Sequence, residues 1–347
     1  MAVPCRAQAP RVPLRLVLAA SAMALGGAGA ALAAPPSAES SADAGSTWTI
    51  QGENDSVSTV PGGSDKYYTS GLRLGWTSGT DQVPDAAARL ANAVWGDGTT
   101  RISIDINQMI FTPRNTAIIR PSPRDRPVAA YLGATFGVIQ DTANSRGVLA
   151  LSAGMIGPSA LGRQVQNGFH ELIRDRINKG WGGQLPDEPA LELLAEKTWR
   201  VPLLRLGGLE ADALPSLTLG VGTVRDYAQA GLRVRFGQGL DQDFGPGRIR
   251  PGITGGDAFV KAPGLAWYVF AGADGQAVAR DAFLDGDLMR RSARVSHLPL
   301  IGEMEAGAAI IWRGVRLAYT QTWQTASFKG QQRGLFNFGS LSASFRF

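Results

Sequence analysis

Strict alternation of apolar with polar or charged side chains constrains this chain more than any other feature. Leu72, Leu74 and Trp76 alternate with Arg73, Gly75 and Thr77, and Ile102, Ile104 and Ile106 with Ser103, Asp105 and Asn107. The same period returns in Leu217, Leu219 and Val221 against Thr218, Gly220 and Gly222, and in Leu232, Val234 and Phe236 against Arg233 and Arg235. A period of two is the signature of a β-strand with two unlike faces. Charges on an inward parity are costly in a dry core, yet acceptable in a barrel lumen whose other face meets lipid. The pattern therefore predicts an all-β fold, a transmembrane antiparallel β-barrel, in preference to a soluble β-sandwich.

The end of the chain strengthens that choice. Gly339, Leu341, Ala343, Phe345 and Phe347 share one parity and Ser340, Ser342, Ser344 and Arg346 the other, so the chain stops on an aromatic of the apolar parity. A terminal aromatic in that phase resembles the C-terminal signature of outer-membrane barrels. Twelve strands are expected, near 47–53, 68–78, 101–111, 128–138, 147–156, 191–204, 215–224, 228–237, 265–275, 303–312, 315–324 and 335–347. The even number returns the C-terminus to the side on which the barrel starts. Residues 276–284 then extend strand nine into a long loop instead of forming a thirteenth strand.

Residues 1–33 have the form of a secretory signal, with Arg6, Arg11 and Arg15 ahead of a short apolar run and Ala31-Leu32-Ala33 at a small-x-small cleavage site. Residues 34–46, rich in Ala, Ser and Pro, form an expected disordered leader, and 47–347 the barrel domain. Removing the three signal arginines takes the formal charge from +5 to +2, which leaves no basic run suited to nucleic acid. The one cysteine, Cys5, lies within the signal, so no disulfide or thiol nucleophile is expected after cleavage.

With a periplasmic N-terminus, the loops after strands one, three and five face outward. They hold most of the unusual polar residues. In the third, Val165, Phe169, Leu172 and Ile173 fall at helical spacing, and the apolar stripe they make is expected to pack on the barrel rim. Gln166 and His170, four apart, share a face of that helix. His170 is one of two histidines in the chain; His297 sits in an unpatterned loop with no polar constellation beside it. Asn54 and Asp55 end strand one and Thr69 begins strand two, so a hairpin can bring them together. Asp55 suits a hard cation, although Asn-Asp is equally an ordinary turn start, and Thr69 fits simple β propensity. There is no Gly-x-Ser-x-Gly elbow and no zinc spacing. A histidine with a carboxylate, amides and a cation suits attack by water on an ester. The rivals are an outer-membrane phospholipid acyl hydrolase, a non-catalytic porin-like barrel with a wide lumen, and a soluble periplasmic sandwich.

Several stretches add a family likeness: Glu53-Asn54-Asp55, the run from Asp65 to Gly75, Thr112-Pro113, Asp125-Arg126-Pro127, the block from Gly157-Pro158 to His170, and Gly180-Trp181-Gly182-Gly183-Gln184-Leu185. Together they resemble the LpxR-type lipid A deacylases over nearly all of the chain after the signal. The resemblance implies a monomeric twelve-stranded barrel in the Gram-negative outer membrane. It also implies Ca2+-dependent release of the 3′-linked acyloxyacyl group of lipid A, the lipid anchor of lipopolysaccharide, at the outer leaflet. Carried over residue by residue, His170 is the expected water-activating base and Asp55 the calcium ligand, with Asn54, Thr69 and Gln166 as polar site residues. Arg114, Arg120 and Arg124 are candidates for lipid A phosphates. One position departs from the family pattern: Arg176 stands where the family carries a glutamate to support the histidine, with Glu171 and Asp175 as the nearest substitutes.

Overall fold

Strand pairing runs unbroken around a closed ring in the computed structural model, which describes residues 45–59, 65–249, 258–261 and 264–347. The strands are β1 (Thr47–Asn54), β2 (Tyr67–Thr77), β3 (Thr99–Thr112), β4 (Ala129–Thr142) and β5 (Ser145–Ile156). β6 comes in two pieces, Glu188–Trp199 and Val201–Leu206, interrupted at Arg200, and both pair with the next strand. Then follow β7 (Leu209–Gly222), β8 (Arg225–Gln238), β9 (Ala266–Asp281), β10 (Leu300–Trp312), β11 (Val315–Gln324) and β12 (Phe336–Arg346). Each strand is antiparallel to its successor, and β12 closes on β1 with Asn54 opposite Gly339. This is the expected twelve-stranded barrel. The expected sixth strand is extended at both ends and turns at Gly207-Gly208, whose φ angles of 59° and 85° suit glycine. The signal, almost all of the leader and the Gly255-Gly256 pair lie outside the described residues.

Burial inverts the usual order of a soluble protein. Ile50, Leu72, Leu74, Ile104, Ile106, Phe136, Leu193, Leu219, Val234 and Leu341 are exposed on the outer wall. Arg73, Asp105, Asp212, Arg235, Glu305 and Arg316 are buried inside it. So extensive an apolar surface belongs against hydrocarbon. The inward charges are matched: Arg73 meets Asp105 at 2.6 Å, and Arg235 meets Asp212 at 2.6 Å and Asp243 at 2.7 Å.

Asp243 comes from the connection after β8, which re-enters the lumen. Arg316 also reaches Asp243, at 3.1 Å, and Arg248 pairs with Glu305 at 2.7 Å. Further along, the Gln51 amide donates to the Gly247 carbonyl at 3.0 Å and the Ile249 N–H to Glu53 at 3.0 Å. The segment from Leu240 to Ile249 thus climbs from the far end of the barrel to the end of β1. A wide lumen, which a porin-like barrel requires, is not what these residues leave.

Two helices of more than one full turn occur among the described residues. α1 (Asp85–Trp95) bridges β2 and β3 and was not expected, although Pro84 before it and Gly96 after it are ordinary start and stop signals. α2 (Gly162–Ile173) lies in the connection after β5. The connections after β1, β3 and β5 gather at one rim, as strand parity requires.

Candidate active site

α2 sits on the outside of the barrel wall. Along β3 the outward parity runs Ile104, Ile106, Gln108, Ile110, exposed for the first pair and buried for the second. Along β4, Phe136 and Ala134 are exposed, Leu132 is half-buried and Ala130 is buried. Ala160 and Trp181 cover Ile110, Val128 and Ala130, and the Gln108 amide donates to the Ala160 carbonyl at 2.6 Å. Gly162 makes the close approach possible, because a Cβ there would collide with the Ala130 methyl and the Trp181 ring.

The helix packs on a different face from the one expected. Gly162, Gln166 and His170, spaced by four, are its buried residues; of the expected stripe Val165 packs against the wall cluster, whereas Phe169, Leu172 and Ile173 are exposed. Polar groups from the first loop await the buried face, so the histidine and glutamine turn inward and the rest of the stripe turns away.

His170 is held at both ring nitrogens. Nδ1 is 2.6 Å from the Arg176 carbonyl, and Nε2 is 2.9 Å from Asp65 Oδ2. The first contact follows from the end of α2: Arg174 adopts a left-handed conformation with φ 60°, and the Asp175 N–H donates to the His170 carbonyl at 2.8 Å. The chain is thereby folded back over the ring. Arg176 serves with its backbone, while Glu171 and Asp175 remain exposed. Asp65, which supplies the carboxylate, was missed as a site residue. It belongs to the same stretch that carries Thr69.

The first hairpin places three more groups. Asn54 caps a short 3-10 turn, its Oδ1 accepting from the Ser56 N–H at 2.7 Å. That is the ordinary turn role weighed for it, and the turn it caps begins with Asp55. Asp55 is buried; Oδ2 accepts from the Lys66 N–H at 3.1 Å and Oδ1 has no hydrogen-bond partner. Thr69 is the extra residue of a β-bulge, since Tyr68 pairs with Phe111 and Ser70 with Ile110. The bulge brings its hydroxyl within 2.7 Å of the Thr112 hydroxyl, which donates in turn to the Asp65 carbonyl at 2.8 Å.

Gln166 joins the helix to the rest of its loop. Its Oε1 accepts from Asn178 at 3.0 Å and from the Trp181 indole at 3.0 Å, while Nε2 is buried without a partner at normal distance. The amide nevertheless lies near enough to Asp65 to favour that carboxylate's charged form.

Burial is the main force on both acids. It raises the Asp55 carboxyl to about 7, aided by the charge of Asp65 and opposed by the Lys66 N–H. Asp65 is also raised by burial, against the pull of His170. Two neighbouring carboxyls, one with an orphaned buried oxygen, fit a hard cation. Among the described residues no three His, Cys, Asp or Glu side chains cluster as a metal site, so hydroxyl, carbonyl or water oxygens would have to complete a shell.

The remaining candidates stay apart from this cluster. Arg114, Arg120 and Arg124 are exposed on the second loop, and among the described residues none has a side-chain ion pair. His297 does have a polar partner, contrary to expectation: Nδ1 lies 2.6 Å from Asp285 Oδ1, on the connection after β9.

A closed barrel with an apolar outer wall, a charged lumen and a histidine–carboxylate site on one rim defines a transmembrane β-barrel of the outer-membrane class. The family model described as "Outer membrane protein LpxR" matches residues 16–347, and the chain belongs to that family. The solved structure of LpxR from Salmonella typhimurium is similar, with a TM-score of 0.71 at 21% identity over 87% of this chain and 100% of that one. The β domain of the Bordetella autotransporter BrkA aligns over 88% of this chain and 99% of its own, at 12% identity and a TM-score of 0.44. No curated protein sequence matches the chain.

Proposed function

We propose that this protein is a calcium-dependent lipid A deacylase that hydrolyses the ester of the 3′-linked acyloxyacyl chain at the outer leaflet. The observation that carries the proposal is the His170–Asp65 pair, held beside the orphaned Asp55 carboxylate on the lipid-facing side of the wall. The Arg176 carbonyl accepts the Nδ1 proton, which leaves Nε2 as the basic nitrogen. Water attacks the ester carbonyl as Nε2 takes its proton; Asp65 offsets the charge of the imidazolium, which then protonates the departing sugar oxygen. Asp55 would hold calcium, with oxygens of Asp65 and Thr69, carried by the same hairpin, as further donors. Bound there, calcium would supply a positive charge to stabilise the oxyanion. Gln166 fixes the helix on which the base rides. Arg114, Arg120 and Arg124, exposed on the second loop, are the candidates to meet a lipid phosphate.

A lumen crossed by Leu240–Ile249 favours an enzyme over a passive pore. Mass spectrometry of lipid A from cells expressing the protein, with and without calcium, tests the reading. Loss of the acyloxyacyl mass is expected only with calcium present. A folded barrel that leaves lipid A intact while releasing fatty acid from glycerophospholipid would replace the proposal with the phospholipid reading.

A further inference from the structure

α2 buries its polar face, and among the described residues nothing covers Phe169, Leu172 and Ile173 of its apolar face. Phe169, Leu172 and Ile173 are 54%, 79% and 52% exposed. Ile177 just beyond the helix is exposed, as are Ile118 and Ile119 of the second loop. The two loops are joined where the Lys179 N–H donates to the Thr116 carbonyl at 2.9 Å. In water such a patch would carry a large free-energy cost.

Its position identifies what covers it. The helix rests on β3 and β4 directly beyond Ile104, Ile106, Ala134 and Phe136, the exposed outward residues of the same strands. The apolar belt therefore continues from the barrel wall onto the helix. Residues 162–179 also carry four basic side chains, Arg163, Arg174, Arg176 and Lys179, against two acids, Glu171 and Asp175. All four basic residues are exposed. An apolar face with a basic surround is the pattern of a helix lying in a membrane interface, with cationic heads reaching toward anionic headgroups.

We infer that α2 is an interfacial docking helix whose Phe169–Leu172–Ile173 face is immersed among the acyl chains of the anionic lipid leaflet at the site rim. That leaflet is the outer one if the proposed function holds, and the inference rests on that reading for its orientation. On this arrangement the buried His170 lies one helix-width from the acyl region. A lipid's ester then reaches the base from the side, without the lipid leaving the bilayer.

Nitroxide labels read immersion without reference to catalysis. The full chain, with Cys5→Ser and Leu172→Cys, is labelled and reconstituted into vesicles of phosphatidylethanolamine, phosphatidylglycerol and purified lipid A. Collision with oxygen is compared with collision with a water-soluble nickel complex. Ile106→Cys marks the lipid-facing belt and Arg163→Cys the aqueous side. The expected ratio of oxygen to nickel accessibility at position 172 matches that at 106 and lies several-fold above that at 163. A ratio equal to that at 163 overturns the inference, as does dipolar broadening at 172 that would seat a second copy of the chain on the face. Phe169→Cys repeats the test if the first label disturbs the fold. An inactive but immersed protein would refute the proposed catalysis and leave the docking helix standing.

Discussion

Asp65 Oδ2 lies 2.9 Å from His170 Nε2, while the Arg176 carbonyl occupies Nδ1 at 2.6 Å. A neutral imidazole with its proton on Nδ1 would turn a lone pair toward the carboxylate. A carboxylate in that position stabilises the imidazolium that forms when Nε2 takes a proton from water. Asp65→Asn keeps the shape but cannot balance an imidazolium, so kcat on lipid A is expected to fall by about 10²–10⁴-fold. His170→Ala is expected to remove product altogether. Both variants should keep heat-modifiable migration on gels, since neither group lies within the barrel wall. An Asp65→Asn enzyme with unchanged kcat would remove the carboxylate from the mechanism.

The Asp55 carboxyl, raised by burial to about 7 from an ordinary 3.8, makes the first loop sensitive to pH. The folded protein holds this proton more tightly than the unfolded chain does. The contribution of Asp55 to stability is thus greatest at low pH, declines as pH rises from about 3.8 toward 7, and levels off above that. A bound cation reverses the penalty because it requires the ionised form. Without calcium, amides of residues 54–69 should exchange faster at pH 8 than at pH 5.5 after correction for intrinsic rates. Calcium should slow them at pH 8. Its apparent affinity should fall about tenfold for each pH unit below 7. Asp55→Asn should abolish both the pH dependence and the response to calcium; a calcium response that survives the substitution would place the ion elsewhere.

The barrel was legible because its constraint is repeated along every strand. Leu72–Trp76 or Leu232–Phe236 states the same parity as Leu341–Phe347, and a slip of one residue would turn Arg73 or Arg235 to lipid. The site is written differently. His170, Asp55, Thr69 and Gln166 were visible through residue type and family likeness, but their contacts depend on local backbone events that leave little pattern. The bulge at Thr69 and the left-handed turn at Arg174 are two such events. Asp65 looked like one acid among several in a loop, and only the approach of α2 to that loop singles it out. The apolar stripe of α2 was recognised correctly as amphipathic, yet periodicity cannot say which face meets protein when lipid competes for the apolar side.

Trp181 and Gln166 make a test of loop order separate from chemistry. The indole N–H and the Asn178 amide both donate to Gln166 Oε1, so the connection after β5 is tied to the face that carries His170. Trp181→Phe removes one donor and keeps the ring that packs on Ala160 and Ala130. A net loss of about 1 kcal/mol is expected. It should appear as faster exchange across residues 162–181 and a modest fall in kcat. Gln166→Leu strands both donors and should cost about 1–3 kcal/mol for each buried group left unsatisfied. If Gln166→Leu abolished activity with exchange unchanged, the amide would be acting on substrate and not on the loop.

Asp243 tests whether the lumen segment stabilises the barrel independently of the site. Its carboxylate is buried and accepts from Arg235 at 2.7 Å, Arg316 at 3.1 Å and the Tyr268 hydroxyl at 2.7 Å. Removing it takes a carboxylate partner from Arg316 and leaves Arg235 with Asp212 and the Leu240 carbonyl. Breaking a buried ion pair from one side costs about 3–5 kcal/mol. Asp243→Ala is therefore expected to lower the urea midpoint of the reconstituted barrel markedly. The Asp65–His170 contact belongs to the outer face of the opposite rim, so kcat measured below the new midpoint should stay close to that of the unaltered protein. Ion conductance in planar bilayers should rise as the segment loosens. An unchanged urea midpoint would mean that Asp212 and the surrounding carbonyls already satisfy the arginines, and that the segment fills the lumen without bracing it.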